Sequence, residues 1–272
     1  MDPSGAQVLR DVVRTAGAAF GERMLACYAL GSLAHGGFSP LVSDVDVALI
    51  LADPGAGSDA ESVLGVADVV RGCGSDLHSR VSLFWGTPQW LRTGVGAGRF
   101  PPLDRLCLFE HGRLLAGEDV RDRLDRPTRS ELLVAGAEFA VNLLADDVVA
   151  HAPRPACLLA EGVRRTTKVV LFPARFLFTA DTGREGTNDA AAQHYTARHR
   201  GPAADLVEAA FRWRAGPPAA GVAEALLDGG LVALYDDYLC DHIARLRGED
   251  QPHLADRFRQ WRSRLLAAAT AG

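Results

Sequence analysis

Three consecutive stretches near the start of the chain read LACYAL at 25–30, GSLAHGGFSPLVS at 31–43 and DVDVALIL at 44–51. The first and third are apolar runs of strand length, and the Gly- and Ser-rich stretch between them predicts a loop or turn, with the start of a short helix as an alternative. Side chains alternate between the two faces of a strand, so Asp44 and Asp46 share one face while valines occupy the other. The sequence therefore predicts two strands with an acidic pair at the start of the second.

The acidic pair and the Gly-Ser turn suit phosphoryl chemistry. Nucleotidyl transfer builds negative charge on phosphate, and Mg²⁺ neutralises it while keeping carboxylate, water and phosphate oxygens as ligands. Asp44 and Asp46 point the same way, so two metal ions could share them. Gly31 permits a close backbone approach to a triphosphate, Ser32 supplies an amide and a hydroxyl, and Ser43 shapes the turn. Each piece alone is typical of ordinary turns; their succession between two strands predicts a nucleotide site.

The region up to residue 118 mixes helical and strand patterns. Helical spacing of apolar residues predicts helices at 6–20 and near 60–72. RVSLFW at 80–85 predicts a third strand, and 106–117 predicts a strand, a turn and a short return strand. We therefore expect a first domain over 1–118, built as a short mixed sheet flanked by helices.

The character of the sequence changes after Gly117. A charged, Pro-terminated junction at 119–128 leads into apolar patterns with the period of a helix. We expect an all-helical C-terminal domain over 128–272, which makes the fold class of the whole chain α+β. The helical patterns cover 129–150, 156–180, 188–198, 203–214, 219–247 and 251–269.

These motifs resemble those of known transferases. GSLAHGG followed by SDVDVALI resembles the GS-x(n)-D-x-D pattern of DNA polymerase beta-like nucleotidyltransferases. The chain is also similar to the aminoglycoside adenylyltransferases that modify streptomycin and spectinomycin, through FEHGRLLAGEDV (109–120) and ARFLFTADTGREGTNDAAAQHY (174–195). The resemblance implies a nucleotidyltransferase domain followed by a helical domain, with ATP and the drug held between them. It further implies two Mg²⁺ ions, AMP transfer to a hydroxyl, and a role in antibiotic resistance.

One departure from the family concerns the general base. The family has a third carboxylate near the start of the next strand, whereas the positions here that would face the acidic pair are Arg80 and Ser82. His78 lies just before the strand, and we take it as the candidate base because imidazole titrates near neutral pH. The alternative is an ordinary polar loop histidine.

A second departure concerns the phosphate ligand. The family has a lysine where this chain has Asn188, which is more typical of a helix N-cap. Lys168 is the only lysine in the sequence and is our candidate nucleotide-binding cation. The alternative is a plain exposed helix lysine.

Composition limits the classes of partner and the cellular location that we expect. The net charge of −5 argues against nucleic acid as the main partner, because phosphate-backbone binding needs a basic face. The five cysteines lack zinc-site spacing and are expected to be reduced thiols. Charged residues in the first twenty positions argue against a secretory signal, and no apolar run reaches membrane-spanning length. We expect a cytoplasmic protein.

Our leading hypothesis is Mg²⁺-dependent transfer of AMP from ATP to a hydroxyl of a small polar acceptor. One alternative is a catalytically degenerate or repurposed nucleotide-binding protein, suggested by the two departures from the family. Another is nucleotidyl transfer to a macromolecule such as tRNA or a protein. The acidic run Asp236, Asp237 and Asp241 could attract a cationic acceptor, or could be a solvated helix face.

Overall fold

The computed structural model describes residues 2–52, 59–94 and 97–270. They divide into two units, Met1–Pro127 and Thr128–Gly272. The described part of the first unit holds all the strands of the structure, and the described part of the second is helical. The α+β fold class and the helical C-terminal region are confirmed.

The first unit alternates helices with strands. The helices predicted at 6–20 and 60–72 and the three predicted strands are confirmed to within a few residues. The elements run in the order α1 (Pro3–Phe20), β1 (Met24–Ala29), α2 (Gly31–His35), β2 (Val45–Leu51), α3 (Asp59–Arg71), α4 (Asp76–Ser79), β3 (Val81–Gly86), α5 (Pro88–Thr93), β4 (Gly98–Arg99), α6 (Pro102–His111) and β5 (Arg113–Gly117).

The prediction for 106–117 was wrong in its first half. A helix, α6, occupies Pro102–His111, and only β5 after the turn is a strand. A short apolar run such as LCLF does not distinguish a strand from one buried side of a helix. The useful signal was Pro102, because proline at the first helical position is preorganised for helix and gives up an amide that would lack a partner.

The five strands form one mixed sheet in the order β4-β3-β2-β1-β5. β2 and β3 are parallel, and the other neighbouring strands are antiparallel. β2 is the central strand, with β1 on one side and β3 on the other. In the β2–β3 register Asp46 lies opposite Ser82.

The sheet buries different residues on its two faces. The α1 face, as we call it, packs Val45, Val47 and Leu49 of β2 against buried residues of α1 and α3. The α6 face packs Ala48 and Ile50 against buried residues of α6. Strand alternation therefore places the side chain of residue 46 on the α6 face.

The second unit is built from eight helices in the described residues. The six helical patterns predicted from the sequence are confirmed as helical, although 129–150 and 156–180 each form two helices. The order is α7 (Arg129–Leu143), α8 (Ala145–His151), α9 (Pro155–Ala160), α10 (Val163–Thr182), α11 (Asn188–Arg198), α12 (Pro202–Trp213), α13 (Ala220–Gly248) and α14 (Pro252–Thr270).

Local chemistry explains where helices of the second unit begin. Thr128 and Glu131 form a reciprocal capping box that starts α7. Gly162, with φ of 94°, separates α9 from α10, since that conformation favours glycine. Tyr235 of α13 donates a hydrogen bond of 2.7 Å to the carbonyl of Val169 in α10. Over 2–52, 59–94 and 97–270, no helix combines the length and apolar character needed to cross a bilayer.

A matched pair of leucines tests the α1 face. Leu49 is fully buried in β2, whereas Leu64 on α3 is 60% exposed. We expect Leu49→Ala to lower the free energy of unfolding by about 2–5 kcal/mol, because it leaves a cavity in the core. Leu64→Ala should change it by about 0.5 kcal/mol or less. Urea denaturation measures both, and equal effects would contradict the assigned burial.

Candidate functional site

The Gly-Ser turn lies directly on Asp46. The backbone N–H of Leu30 donates a hydrogen bond of 2.8 Å to the carbonyl oxygen of Asp46. Gly31 has a left-handed φ of 55°, and a Cβ atom there would lie only 2.6 Å from Asp46 Oδ2. Glycine is thus required both for the backbone conformation and for the space beside the carboxylate.

A cysteine of α6 holds the other side of this turn. The backbone N–H of Gly31 donates to Cys107 Sγ at 3.1 Å, and Cys107 is buried. Thiol sulfur is a weak acceptor, so this hydrogen bond orients the turn but contributes little to the free energy of folding. Ser32 follows as the second residue of α2 and is half-buried. The turn, β2 and α6 therefore meet on the α6 face of the sheet.

The two aspartates frame the start of β2. Asp46 is the second residue of the strand, and Asp44 immediately precedes it. Both are half-buried. Their spacing of two residues in extended chain directs both side chains towards the α6 face, as the sequence pattern suggested. They give that face a local negative charge next to the Gly-Ser turn.

This pair suits a cation that completes its shell with substrate. Among the residues that the structure describes, no group of three or more His, Cys, Asp or Glu side chains could hold a metal ion. Mg²⁺ is commonly bound by one or two carboxylates together with waters and substrate phosphates. The donor set of Asp44 and Asp46 therefore fits Mg²⁺ that arrives with a nucleotide better than a permanently bound structural metal.

Ser43 and Arg80 build the loop in front of the pair. Ser43 is buried; its N–H donates to the carbonyl of Ser39 at 2.8 Å, and its Oγ accepts from the N–H of Ser39 at 3.0 Å. Arg80 Nη1 donates to the carbonyls of Pro40 at 2.9 Å and Ser43 at 3.3 Å. Its Nη2 pairs with Asp76. Arg80 thus stabilises the loop that precedes Asp44.

Ser82 occupies the strand position beside Asp46. It is paired with Asp46 in the parallel β2–β3 register and is half-buried. Of the two residues that the sequence offered for this place, Arg80 and Ser82, the structure puts Ser82 alongside the acidic pair. The position beside Asp46 therefore carries a hydroxyl group and no carboxylate.

His78 lies elsewhere. It is buried, with Nε2 3.2 Å from Asp11 Oδ2 and Nδ1 2.6 Å from Ser75 Oγ. Asp11 belongs to α1, so these contacts are on the α1 face, while Asp46 is on the α6 face. The sheet separates His78 from the acidic pair, which removes it from the candidate catalytic set. The sequence could not show this, because His78 precedes the strand and has no alternation to fix its face.

Two further predicted positions belong to the second unit. Lys168 lies on α10 and is half-buried, and its role as a phosphate ligand stays a prediction. Asn188 is the first residue of α11. The N-cap is Thr187, whose Oγ1 accepts from the N–H of Ala190 at 3.3 Å, so the expected cap was misplaced by one residue.

The acidic residues of α13 form ion pairs and hydrogen bonds within the second unit. Burial acting alone would raise the pKa of Asp241, but hydrogen bonds from His242 and Arg245 outweigh it and lower that pKa to about 2. Each carboxylate of the run has partners within the second unit and remains partly exposed. Asp236 pairs with Arg262 at 2.6 Å, Asp237 accepts from Tyr195 Oη at 2.7 Å and lies 3.2 Å from His199 Nδ1, and Asp241 pairs with Arg245 at 2.7 Å and lies 3.1 Å from His242.

The fold of the chain is similar to that of a solved aminoglycoside adenylyltransferase. Among solved structures the chain is similar to the crystal structure of spectinomycin adenyltransferase AAD(9) from Enterococcus faecialis with ATP and spectinomycin. The TM-score is 0.58 at 13% sequence identity, covering 82% of this chain and 97% of that one. No family model matches the sequence, and no curated protein does. At this identity the likeness establishes the fold, as the sequence motifs predicted.

The contact between Gly31 and Asp46 can be tested by comparing Gly31, which begins α2, with Gly36, which caps its end. Gly36 also has a positive φ, of 90°, but a Cβ there would meet nothing within 4 Å. Gly36→Ala should therefore cost about 1 kcal/mol of stability, from backbone strain alone. Gly31→Ala should cost more, because Asp46 must also move. Urea denaturation of both variants measures the difference, and equal losses would show that the carboxylate does not rest on Gly31.

Proposed function

We propose that this chain is a Mg²⁺-dependent nucleotidyltransferase that moves AMP from ATP to a hydroxyl of a small polar acceptor. The contact of Gly31 with Asp46 carries the proposal, because it brings the proposed phosphate-holding turn next to the proposed metal-binding carboxylate. The fold supports it, since the similar adenyltransferase was solved with ATP and spectinomycin. An aminoglycoside-like acceptor follows from the family resemblance and that neighbour.

Asp44 and Asp46 would hold two Mg²⁺ ions, which supply charge neutralisation for the triphosphate when bound. The backbone and hydroxyl of Ser32 would contact the phosphates, and Gly31 would let the backbone approach them closely. Ser43 would keep Asp44 in place through its bonds to Ser39. Lys168 remains the predicted phosphate-binding cation.

The reaction is a displacement at the α-phosphorus. The acceptor oxygen forms a new P–O bond in line with the bond to pyrophosphate, which breaks as pyrophosphate leaves with the electron pair. The acceptor hydroxyl must also lose its proton. Ser82 beside Asp46 can accept a hydrogen bond and so orient the acceptor, but a serine hydroxyl is too weak a base to take the proton at neutral pH. We propose that the proton passes to water, which predicts slow turnover.

A nucleotide-binding protein without turnover is the second candidate, and Ser82 is the observation that favours it. Calorimetry with ATP and Mg²⁺ followed by a turnover screen across hydroxyl-bearing acceptors separates the two. Binding accompanied by pyrophosphate release supports the enzyme. Binding without release from any acceptor, aminoglycosides included, favours the degenerate protein.

The metal role predicts a specific loss. Asp46→Asn keeps the size of the side chain but removes its charge, so pyrophosphate release should fall by at least about 100-fold. Asp68→Asn is the matched control, because the Asp68 side chain is 76% exposed on α3, away from the site. Turnover by the Asp46 variant at the wild-type rate would refute the metal role.

The absence of a carboxylate beside Asp46 predicts that adding one raises the rate of the reaction. Ser82→Glu places a carboxylate beside Asp46, and a positioned general base contributes about 10²–10⁴-fold to a proton transfer. We expect kcat for pyrophosphate release to rise by about 100-fold or more. Ser82→Gln has the same length without the base and should not raise kcat. If the two variants turn over at the same rate, proton removal is not what limits the reaction.

A further inference from the structure

Three polar side chains on the α1 face form a connected chain of hydrogen bonds. Ser75 Oγ is 2.6 Å from His78 Nδ1, and His78 Nε2 is 3.2 Å from Asp11 Oδ2. Asp11 also accepts from Gln7 Nε2 at 3.0 Å and from Arg14 Nη2 at 2.7 Å. The carboxylate is thus held by its own helix before it meets the imidazole. Asp11 and His78 are 67 residues apart in sequence and are brought together by the packing of α4 on α1.

The exposure of the three groups differs in a chemically useful way. His78 and Asp11 are each 7% exposed, whereas Ser75 is exposed. Asp11 selects the His78 tautomer that donates from Nε2, which leaves Nδ1 to accept the Ser75 hydroxyl proton. Hydrogen bonds from Gln7 and His78 lower the pKa of Asp11, so it is ionised at neutral pH. The base and its orienting carboxylate are shielded while the hydroxyl faces solvent.

We propose that Ser75 is an activated serine nucleophile, a site of covalent modification by acyl or phosphoryl donors. The arrangement meets the general requirement for such a residue: a hydroxyl within hydrogen-bond reach of a base that a third group orients. In the reaction, Ser75 Oγ forms a bond to the electrophilic carbon or phosphorus as His78 Nδ1 takes the proton. The leaving group departs with its electron pair, and Asp11 stabilises the imidazolium.

Ser75 also caps α4, and capping does not account for the whole arrangement. The backbone N–H of His78 donates to Ser75 Oγ at 3.4 Å, which uses an oxygen lone pair and leaves the hydroxyl proton directed at Nδ1. A cap needs neither an imidazole nor a buried carboxylate behind it. Ser79 of the same helix provides the comparison: it is exposed too, and its hydroxyl donates to the backbone carbonyl of Asp76 at 2.7 Å.

The experiment exposes the full-length chain to a fluorophosphonate and follows labelling of each serine by peptide mass spectrometry. In this reaction the Oγ–P bond forms, the P–F bond breaks, fluoride leaves and the serine proton goes to His78. We expect Ser75 to be labelled at least about 100-fold faster than Ser79, the range that general-base assistance supplies. Labelling of Ser75 no faster than Ser79 overturns the proposal.

Two variants test whether the fast labelling of Ser75 depends on His78 and Asp11. His78→Gln should reduce Ser75 labelling to the rate of Ser79, and Asp11→Asn should give an intermediate rate because the imidazole loses its orienting charge. Ser79 in the same sample is the internal control, since unfolding would change the labelling of both serines. Undiminished Ser75 labelling in a folded His78→Gln protein overturns the proposal. If that variant does not fold, the wild-type ratio of Ser75 to Ser79 decides. The outcome is independent of nucleotidyl transfer, which uses the other face of the sheet.

Discussion

Side-chain alternation along the central strand β2 is the constraint on which the rest of the structure depends. Val45, Val47 and Leu49 point to the α1 face and pack against α1 and α3. The intervening positions begin with Asp46 and continue with Ala48 and Ile50 on the α6 face. The same seven residues therefore anchor both cores and present a carboxylate at the strand start. A shift of one residue in register would exchange the residues that face the two cores and would move Asp46 onto the α1 face.

The Gly-Ser turn shows how tightly the candidate site is coupled to the fold. Gly31 adopts a left-handed conformation against Asp46 while its amide is held by Cys107. Its backbone, the strand carboxylate and α6 thus share one small volume, so a side chain at this position would disturb packing and chemistry together. Ser43 and Arg80 add a second layer of support through carbonyl and amide groups of the preceding loop. Such support fixes the direction of the aspartates before any ligand binds, which is what a site that stabilises transferring phosphate requires.

Periodicity predicted most of the fold because it reflects burial directly. The long helical patterns of the second unit and the strand pair around the Gly-Ser turn were readable, and the acidic pair follows from the same alternation. What failed were features without a period. The run LCLF at 106–109 could not be distinguished from a strand, and His78, in a four-residue helix before β3, had no pattern to fix its face. Its partner Asp11 is equally invisible in the sequence, where it is one polar residue of an amphipathic helix. Long-range pairing of polar groups depends on how helices pack, and local sequence does not encode that.

Adenylyl transfer requires two things of its active site: neutralisation of the triphosphate and removal of the acceptor proton. A serine at position 82 affects only the second. Neutralising the triphosphate needs charge close to the phosphates, and in the proposed reaction Asp44 and Asp46 would provide it through a divalent cation whatever lies at position 82. Removing the acceptor proton needs a group whose pKa lies nearer to neutral, and a serine hydroxyl does not meet that need. Loss of the base leaves the electrostatic and positional parts of catalysis in place, and in enzymes generally these account for a large share of the rate. The proposed activity is therefore compatible with Ser82, at a turnover lowered by the contribution of one proton transfer and without loss of nucleotide binding.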